Sequence, residues 1–326
     1  MSRIAITNAA GATLCLALSI AIGPGSNAGG ASLTRHGSSG AAEPVVVRQH
    51  GRDGIVDAGG RFVALRRYDR IASTSSLADG LLLALCEPDR IAAFTQTSPG
   101  QGPFGYRYSG KPTLRGPGDL EALLTLGPDL VLGSGLVAGS DRVARIRDAG
   151  LTVFDLGEMR GLSSLLPNIV TIATLLGRAE TGRELATRFE QRMRRLAAAI
   201  PERERPGGLY VSLFGDVLYG GTDGSSYHDV LTAAGIRDVA AERYVGWPRY
   251  TPEQLLALDP ELIVTHDGMA RSLCAHPGLG QLRACRNQRI VELDGALLGD
   301  PGLAMLDAAE SLFEAVHPAP PASRHQ

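Results

Sequence analysis

Residues 121–132 read EALLTLGPDLVL, and residues 253–264 read EQLLALDPELIV. Six aligned positions are identical, and Asp129 with Glu261 and Val131 with Ile263 are conservative matches. Each copy predicts a short helix, a proline turn and a buried strand. A unit of this kind that occurs twice predicts two similar lobes, each built around one copy.

Apolar segments alternate with helical patterns around each copy, which is typical of a parallel sheet covered by helices on both faces. Strands are predicted at residues 70–73, 90–94, 129–132 and 152–154 in the first half, and at 208–214, 235–239, 262–264 and 289–292 in the second. Residues 54–65 predict a hairpin ahead of the first lobe. The sequence therefore predicts an α/β fold with a parallel-sheet core in each lobe.

Residues 179–200 predict a single long helix that joins the two lobes. Leu185, Phe189, Leu196 and Ile200 form an apolar stripe among charged residues. A helix of ~22 residues is ~33 Å long, enough to run the height of both lobes. Because one helix cannot flex as a pair of strands can, we expect a cleft between the lobes that is largely preformed.

The amino-terminal residues 1–28 have the composition of a secretory signal peptide. Arg3 precedes an apolar run over residues 9–22, and the small residues that end at Ala28 suit cleavage there. An uncleaved anchor is the alternative, although fourteen apolar residues are few for a spanning helix. We expect a periplasmic protein. The predicted organisation is a signal peptide (1–28), a flexible leader (29–43), an N-terminal lobe (44–160), a helical segment (161–200), a C-terminal lobe (201–318) and a tail (319–326).

Composition and motifs argue against several classes of protein. The formal net charge is −2, and Lys111 is the one lysine, so the charge pattern indicates neither nucleic acid nor a membrane surface as a partner. An enzyme on the same architecture is the first alternative. No G-x-S-x-G elbow, phosphate loop or G-x-G-x-x-G directly after a predicted strand occurs in the sequence. We therefore expect no catalytic residues and no cofactor.

The cysteines predict one disulfide in an oxidising compartment. Cys274 and Cys285 flank a short segment with Pro277 and Gly278, and a bridge between them would contribute ~3 kcal/mol. Cys86 follows a run of leucines, which predicts a buried thiol.

Five stretches of the chain resemble a known family over residues 54–317. They are GIVDAGGRFVALRRYDRIAST at residues 54–74, the two repeat copies, the linking helix, and RNQRIVELDGALLGDPGLAMLDAAESL at residues 286–312. Their order and spacing resemble the periplasmic binding proteins that serve ABC importers of iron chelates and vitamin B12. The resemblance implies two Rossmann-like lobes with the ligand between them, and a permease dimer with its ATPase as partner. We expect a monomer that binds a small-molecule metal chelate.

The ligand class stays open between cobalamin, a ferric siderophore and haem. Residues 246–254 read GWPRYTPEQ, which resembles the cobalamin-binding branch, where a Trp-Pro pair lies against the corrinoid. Haem is less favoured because Pro112-Thr113-Leu114-Arg115 stands where haem-binding members commonly have an iron-ligating tyrosine or histidine.

The candidate ligand-binding residues lie in loops that follow strands, where open α/β sheets bind ligands. Exposed aromatic and arginine residues suit a planar or anionic chelate. The first-lobe loop supplies Tyr106, Arg107, Tyr108 and Arg115, the second-lobe loop supplies Trp247 and Tyr250, and the strand-to-helix turns supply Ser76, Ser226 and Tyr227. Serines at such turns often only cap a helix.

Glu121 and Glu253 open equivalent helices of the repeat. The resemblance implies that they meet arginines on the two permease subunits. Two alternatives keep the fold: a binding protein for a bare metal ion, and a sensor without transport. His228, His266 and His276 do not form a cluster with metal-ligand spacing, so we expect no metal site.

Overall fold

The computed structural model describes residues 43–95, 110–115, 119–135 and 142–318, which belong to one compact unit. The described chain begins with an antiparallel sheet of β1 (Val46–Gln49), β2 (Arg52–Val56) and β3 (Phe62–Ala64). The predicted hairpin is confirmed as β2 and β3, and β1 is an additional strand. The predicted signal peptide, nearly all of the leader and the tail at 319–326 lie outside the described residues.

The first lobe is a five-stranded parallel sheet with helices on both faces. Its elements are β4 (Ile71–Ser73), α1 (Ser76–Leu85), β5 (Ile91–Thr95), β6 (Thr113–Leu114), α2 (Leu120–Leu126), β7 (Leu130–Gly135), α3 (Arg142–Asp148) and β8 (Val153–Glu158). The strand order is β6-β5-β4-β7-β8, and all neighbours run parallel. Counted within the lobe this order is 3-2-1-4-5, one half of a Rossmann-type sheet. All four predicted strands are present.

Two helices connect the lobes. They are α4 (Leu162–Leu175) and α5 (Ala179–Ala198). The predicted long helix is α5, and it ends at Ala198 instead of residue 200. Asp229 of the second lobe accepts a hydrogen bond of 2.6 Å from the backbone N–H of Leu162, at the start of α4. This bond ties the connection to the second lobe at the point where the chain leaves the first.

The second lobe repeats the plan with two extra antiparallel strands. Its elements are β9 (Gly207–Phe214), β10 (Val217–Gly221), α6 (Ser226–Ala233), β11 (Arg237–Asp238), β12 (Arg249–Tyr250), α7 (Pro252–Leu258), β13 (Leu262–His266), α8 (Ala270–Ala275), α9 (Arg283–Arg286), β14 (Ile290–Leu293), α10 (Gly295–Leu298) and α11 (Ala304–Val316). Strands β11, β9, β13 and β14 run parallel, which confirms the predicted core. Strands β10 and β12 extend it antiparallel.

The inner faces of the two sheets share one hydrophobic core. Leu77 of α1, Ile169 of α4, Tyr210 of β9 and Leu312 of α11 all belong to this buried cluster. The outer faces have separate cores, under α2 and α3 in the first lobe and under α7 and α8 in the second. The central helices therefore form a layer between the two sheets, and this packing holds the lobes together.

Cysteine placement agrees with the sequence-based expectation. A disulfide joins Cys274 of α8 to Cys285 of α9, with 5.7 Å between their Cα atoms. Cys86 is buried and carries a free thiol, and burial raises its pKa to about 11. In the part of the chain that the structure describes, no helix combines the length and apolar character needed to cross a membrane.

Candidate ligand-binding site

The strand orders locate one crevice in each lobe. In the first sheet the chain order reverses between β4 and β7, and in the second between β9 and β13. Ligands of open α/β sheets bind beyond the carboxyl ends of the strands at such switch points. The inner faces of both sheets pack on the same central helices, so both crevices adjoin that layer.

Serines line the first-lobe switch point. Ser75 follows β4 at the start of α1, and Ser134 lies near the end of β7. The hydroxyl of Ser134 donates a hydrogen bond of 2.8 Å to the hydroxyl of Ser75, and both residues are buried. Ser76 is half-buried beside them. This lobe therefore presents small polar groups at its crevice.

Aromatic rings line the second-lobe switch point. Tyr210 of β9 stacks on Tyr227 of α6 with 3.7 Å between ring centroids and 5° between the planes. Its hydroxyl shares a hydrogen bond of 2.7 Å with Nε2 of His266, at the end of β13. Burial lowers the pKa of His266 and raises that of Tyr210, so both groups are neutral near pH 7. Gly221 lies under the Tyr227 ring, where a Cβ atom would clash with it.

An open face continues from this stack along β9, β10 and β12. Phe214 pairs with Val217, and Tyr219 pairs with Arg249. Backbone hydrogen bonds from Gly220 to Pro248 and from Thr222 to Gly246 continue the ladder, which brings Trp247 opposite Gly221. Directly paired residues of antiparallel strands share a face. We define the aromatic face as Tyr210, Phe214, Val217, Tyr219, Tyr227, Trp247 and Arg249.

The outer part of the aromatic face is exposed, whereas Tyr210 at its inner end is buried. Phe214 is 79% exposed, Trp247 is 46% exposed and Val217 is 38% exposed. The guanidinium carbon of Arg249 lies 5.4 Å from the centroid of the Tyr219 ring, within range of a cation–π interaction. An exposed apolar surface with a cation at its edge can stack on a flat ligand and neutralise an anionic group on its rim.

A buried polar network fixes α6 against the sheet. Asp238 accepts hydrogen bonds from the hydroxyl of Thr222 at 2.7 Å and from Nδ1 of His228 at 2.8 Å. The bond to Asp238 raises the pKa of His228 and favours its charged form. Thr222 follows β10, and His228 follows Tyr227 on α6. The network therefore links the end of β10 to the helix that positions the Tyr227 ring.

Apart from Ser76 and Tyr250, the predicted ligand-binding residues divide into three groups. Trp247 and Tyr227 lie on the aromatic face. Ser226 is buried at the start of α6 next to the N-cap Ser225, and Arg115 is exposed, with its backbone N–H bonded to Asp119. Tyr106, Arg107 and Tyr108 lie outside the described residues.

Tyr250 occupies a different environment. It is 5% exposed in the outer core of the second lobe, where it meets Tyr244 edge to face at 5.2 Å. The alternation along β12 sends Tyr250 to the face opposite Arg249. We therefore leave Tyr250 out of the candidate site.

Several residues of the face escaped the sequence-based prediction. Phe214, Tyr219 and Arg249 come to lie on one face through the pairing of β9 and β12 with strand β10, and β10 was not predicted. The available signal was the dipeptide Gly215-Asp216 between apolar segments, which is typical of a two-residue hairpin. Gly215 indeed adopts a positive φ of 59° at this turn.

A second concavity lies at the far edge of the first lobe. It has a volume of about 380 Å³ and an apolar lining that includes Val45, Ile55 and Phe154. It lies beside the edge strand β8, whereas the switch point lies between β4 and β7. The concavity therefore lies where the N-terminal sheet of β1 to β3 packs on the first lobe.

Comparison with known proteins places this geometry in a family. The profile of the periplasmic binding protein family matches residues 71–297, which include both switch points and the linking helices. The chain belongs to the periplasmic binding protein family. This confirms the resemblance found in the sequence, and the family is one of binding proteins.

Individual members of the periplasmic binding protein family are similar over about three fifths of the chain. An uncharacterized ABC transporter substrate-binding lipoprotein YvrC of Bacillus subtilis is 25% identical over 207 residues, 61% of this chain and 65% of its own length. The vitamin B12-binding protein of Vibrio cholerae is 24% identical over 195 residues, 60% of this chain and 70% of its own. The chain thus spans slightly less than two thirds of YvrC.

A solved family structure shows the same two-lobed fold. The periplasmic heme-binding protein RhuT from Roseiflexus sp. RS-1 superposes with a TM-score of 0.63 at 26% identity. The match covers 76% of this chain and 99% of that protein.

Proposed function

We propose that this protein is the extracytoplasmic substrate-binding protein of an ABC importer and that it captures a bulky metal chelate. The observation that supports the proposal most strongly is the aromatic face, which is open at the second-lobe switch point. Exposed apolar side chains such as Phe214, Val217 and Trp247 that lie together on one face are characteristic of a surface that a ligand or partner covers. The assigned role is binding, with no catalytic step and no resident cofactor.

The chemistry of the face favours an already chelated metal over a bare ion. Within the described residues no group of three or more His, Cys, Asp and Glu side chains is arranged to hold a metal ion. The rings of Trp247, Tyr219 and Phe214 suit a large, partly apolar ligand, and Arg249 suits a carboxylate, phosphate or catecholate on its rim. Cobalamin or a ferric siderophore meets this description, and the vitamin B12-binding relative supports cobalamin.

Haem is the second candidate ligand. The similarity to the heme-binding protein RhuT supports it, and a porphyrin also offers a flat face and two carboxylates. On this proposal the first lobe contributes Ser76, Arg115 and the loop residues Tyr106, Arg107 and Tyr108, while Ser226 supports the turn under Tyr227.

The proposed function also implies a cellular location and an interaction partner for the protein. We infer secretion to the periplasm through a cleavable signal peptide, and a monomer that docks on a permease dimer with its ATPase. Glu121 and Glu253 lie exposed in the first turns of α2 and α7. Hydrogen bonds from its own backbone and from Thr251 lower the pKa of Glu253, so this carboxylate is charged. These glutamates are the proposed contacts to arginines of the permease.

Reversal of both charges tests delivery separately from capture. Charge pairs of this kind govern docking more than they govern ligand affinity. In the variant Glu121→Lys with Glu253→Lys, we expect affinity for cyanocobalamin and haemin to change less than about twofold, below ~0.5 kcal/mol. Uptake of the radiolabelled ligand by cells should collapse, because two attractive contacts become two repulsions.

The matched control reverses two exposed glutamates elsewhere, Glu202→Lys with Glu314→Lys, and should transport normally. Normal uptake by the Glu121 and Glu253 double variant would rule out the docking role. Wild-type binding without any uptake would favour a sensor over an importer subunit.

A further inference from the structure

Helices α2 and α7 are structural copies in detail. Asp119 caps α2 by accepting a hydrogen bond of 3.1 Å from the N–H of Ala122, and Thr251 caps α7 by accepting one of 3.3 Å from that of Gln254. Both helices have seven residues and end in a left-handed residue. The pattern of buried, half-buried and exposed positions along them agrees at all seven positions. The repeat thus preserves which side chains point outward.

Each helix presents a leucine to solvent at the same position of the repeat. Leu124 is 51% exposed and Leu256 is 37% exposed, whereas their neighbours Leu123 and Leu255 are buried under the sheets. Leu124 follows Glu121 by three residues, and Leu256 follows Glu253 by three. Residues three apart lie on one face of a helix. Each lobe therefore exposes the same unit, a carboxylate with an apolar side chain one turn later.

The arrangement points to a partner with two like surfaces. A single exposed leucine is ordinary on a protein surface, but a carboxylate–leucine unit that occurs once per lobe offers the same chemistry twice. A partner that satisfies both copies has two equivalent sites, each with a basic group beside an apolar depression. A dimer of like subunits has such a pair of sites by symmetry.

We propose that Leu124 and Leu256 are paired apolar contacts to the two subunits of the permease dimer and act beside Glu121 and Glu253. This inference rests on the proposed importer function. The glutamates attract and orient the partner, since surface charges act mainly on encounter and register. The leucines lose their remaining water contact in the complex and slow its dissociation, because burial of apolar area is favourable.

The test measures docking to the permease–ATPase complex in lipid nanodiscs, with stimulated ATP hydrolysis as a second readout. Leu124→Gln and Leu256→Gln keep good helix formers and should each weaken docking about tenfold, and the pair about a hundredfold. Leu124→Met with Leu256→Met should dock like the wild type. Val46→Gln, a control with equal exposure on β1, should also dock normally.

Melting temperature and affinity for cyanocobalamin or haemin should be unchanged in every variant, since these leucines lie outside all three hydrophobic cores. If the glutamine variants dock like the wild type while Glu121→Lys with Glu253→Lys does not, the leucine contacts are refuted and the importer function stands. An effect from one leucine alone would refute the paired arrangement. If the wild-type protein does not engage the complex in any ligand state, the proposed function itself fails.

Discussion

Trp247 is the residue on which the binding proposal depends most. Gly246 adopts a positive φ of 69°, and its N–H donates to the carbonyl of Asp223, which anchors the loop on β10. The backbone beside Trp247 is therefore fixed by hydrogen bonds, while the side chain is 46% exposed. A loop that is ordered before the ligand arrives loses less conformational entropy on binding.

Substitution of Trp247 should weaken ligand binding without a change of fold. We expect Trp247→Ala to cost ~1–3 kcal/mol of affinity, as a substantial aromatic contact at a binding hot spot does, and Trp247→Phe to cost less. Because the sequence contains one tryptophan, a coloured chelate should also quench the wild-type fluorescence saturably.

Calorimetric titration measures the affinity of each variant, and Val45→Ala serves as a control at another exposed apolar position. Unchanged affinity in Trp247→Ala would remove the aromatic face from the site.

At the level of elements, the hairpin of β9 and β10 makes the two lobes different. It supplies Phe214, Val217 and Tyr219, and the first lobe has no counterpart to it within the described residues. The buried Asp238 joins the end of this hairpin to α6 through Thr222 and His228. The geometry of the aromatic face thus depends on an ion pair that titrates.

The protonation of His228 predicts a pH-dependent stability. Its folded-state pKa is raised, chiefly by the hydrogen bond to Asp238. The stabilising contribution is therefore complete below the unfolded-state pKa of about 6.5 and is lost as pH rises through the raised folded-state value. We expect His228→Gln to cost ~1.5–3 kcal/mol at pH 6, the usual value of a hydrogen bond to a charged group, and clearly less at pH 9.

Urea unfolding at both pH values measures this difference. His276→Gln, in which the replaced ring contacts the carbonyl of its neighbour Pro277, should show no comparable trend. An equal cost of His228→Gln at pH 6 and pH 9 would contradict a charged His228.

Prediction from sequence succeeded for regular elements and failed for the edge of the second sheet. The repeat of residues 121–132 at 253–264 was enough to predict two lobes, because the spacing of its apolar residues indicates a helix and a buried strand in each copy. Strand β10 reads VLYGG, and its two glycines weaken any strand pattern. The two glycines are required by tertiary packing, because a Cβ atom at Gly221 would clash with the Tyr227 ring and one at Gly220 with the Tyr250 ring.

The placement of Tyr250 shows the same limit for the site. A tyrosine next to Trp-Pro-Arg in a loop predicts exposure, but the pairing of β12 with β10 decides which side of the sheet it occupies. If the register of a strand pair shifts by one residue, every side chain of the shifted strand moves to the opposite face of the sheet. Sequence alone could not supply that register.

The whole molecule has two lobes fixed on one shared core. Because α1, α4, α6 and α11 all contribute to the cluster between the sheets, a large closing rotation would break many apolar contacts. Closely packed interiors resist such changes. The cleft should therefore be largely preformed. Ligand affinity should then come from the fit between the ligand and the cleft, with little free energy spent on ordering the protein.

Calorimetric titration of the purified protein is the decisive experiment for the binding of a metal chelate in the cleft. Cyanocobalamin, haemin and a panel of ferric siderophores are the probes, with Zn²⁺ alone as the control for bare metal. We predict that at least one chelate binds saturably with a Kd on the order of 1 μM or below, about −8 kcal/mol, and that Zn²⁺ does not. Binding of Zn²⁺ at that strength, or no binding by any chelate, would contradict the proposed function.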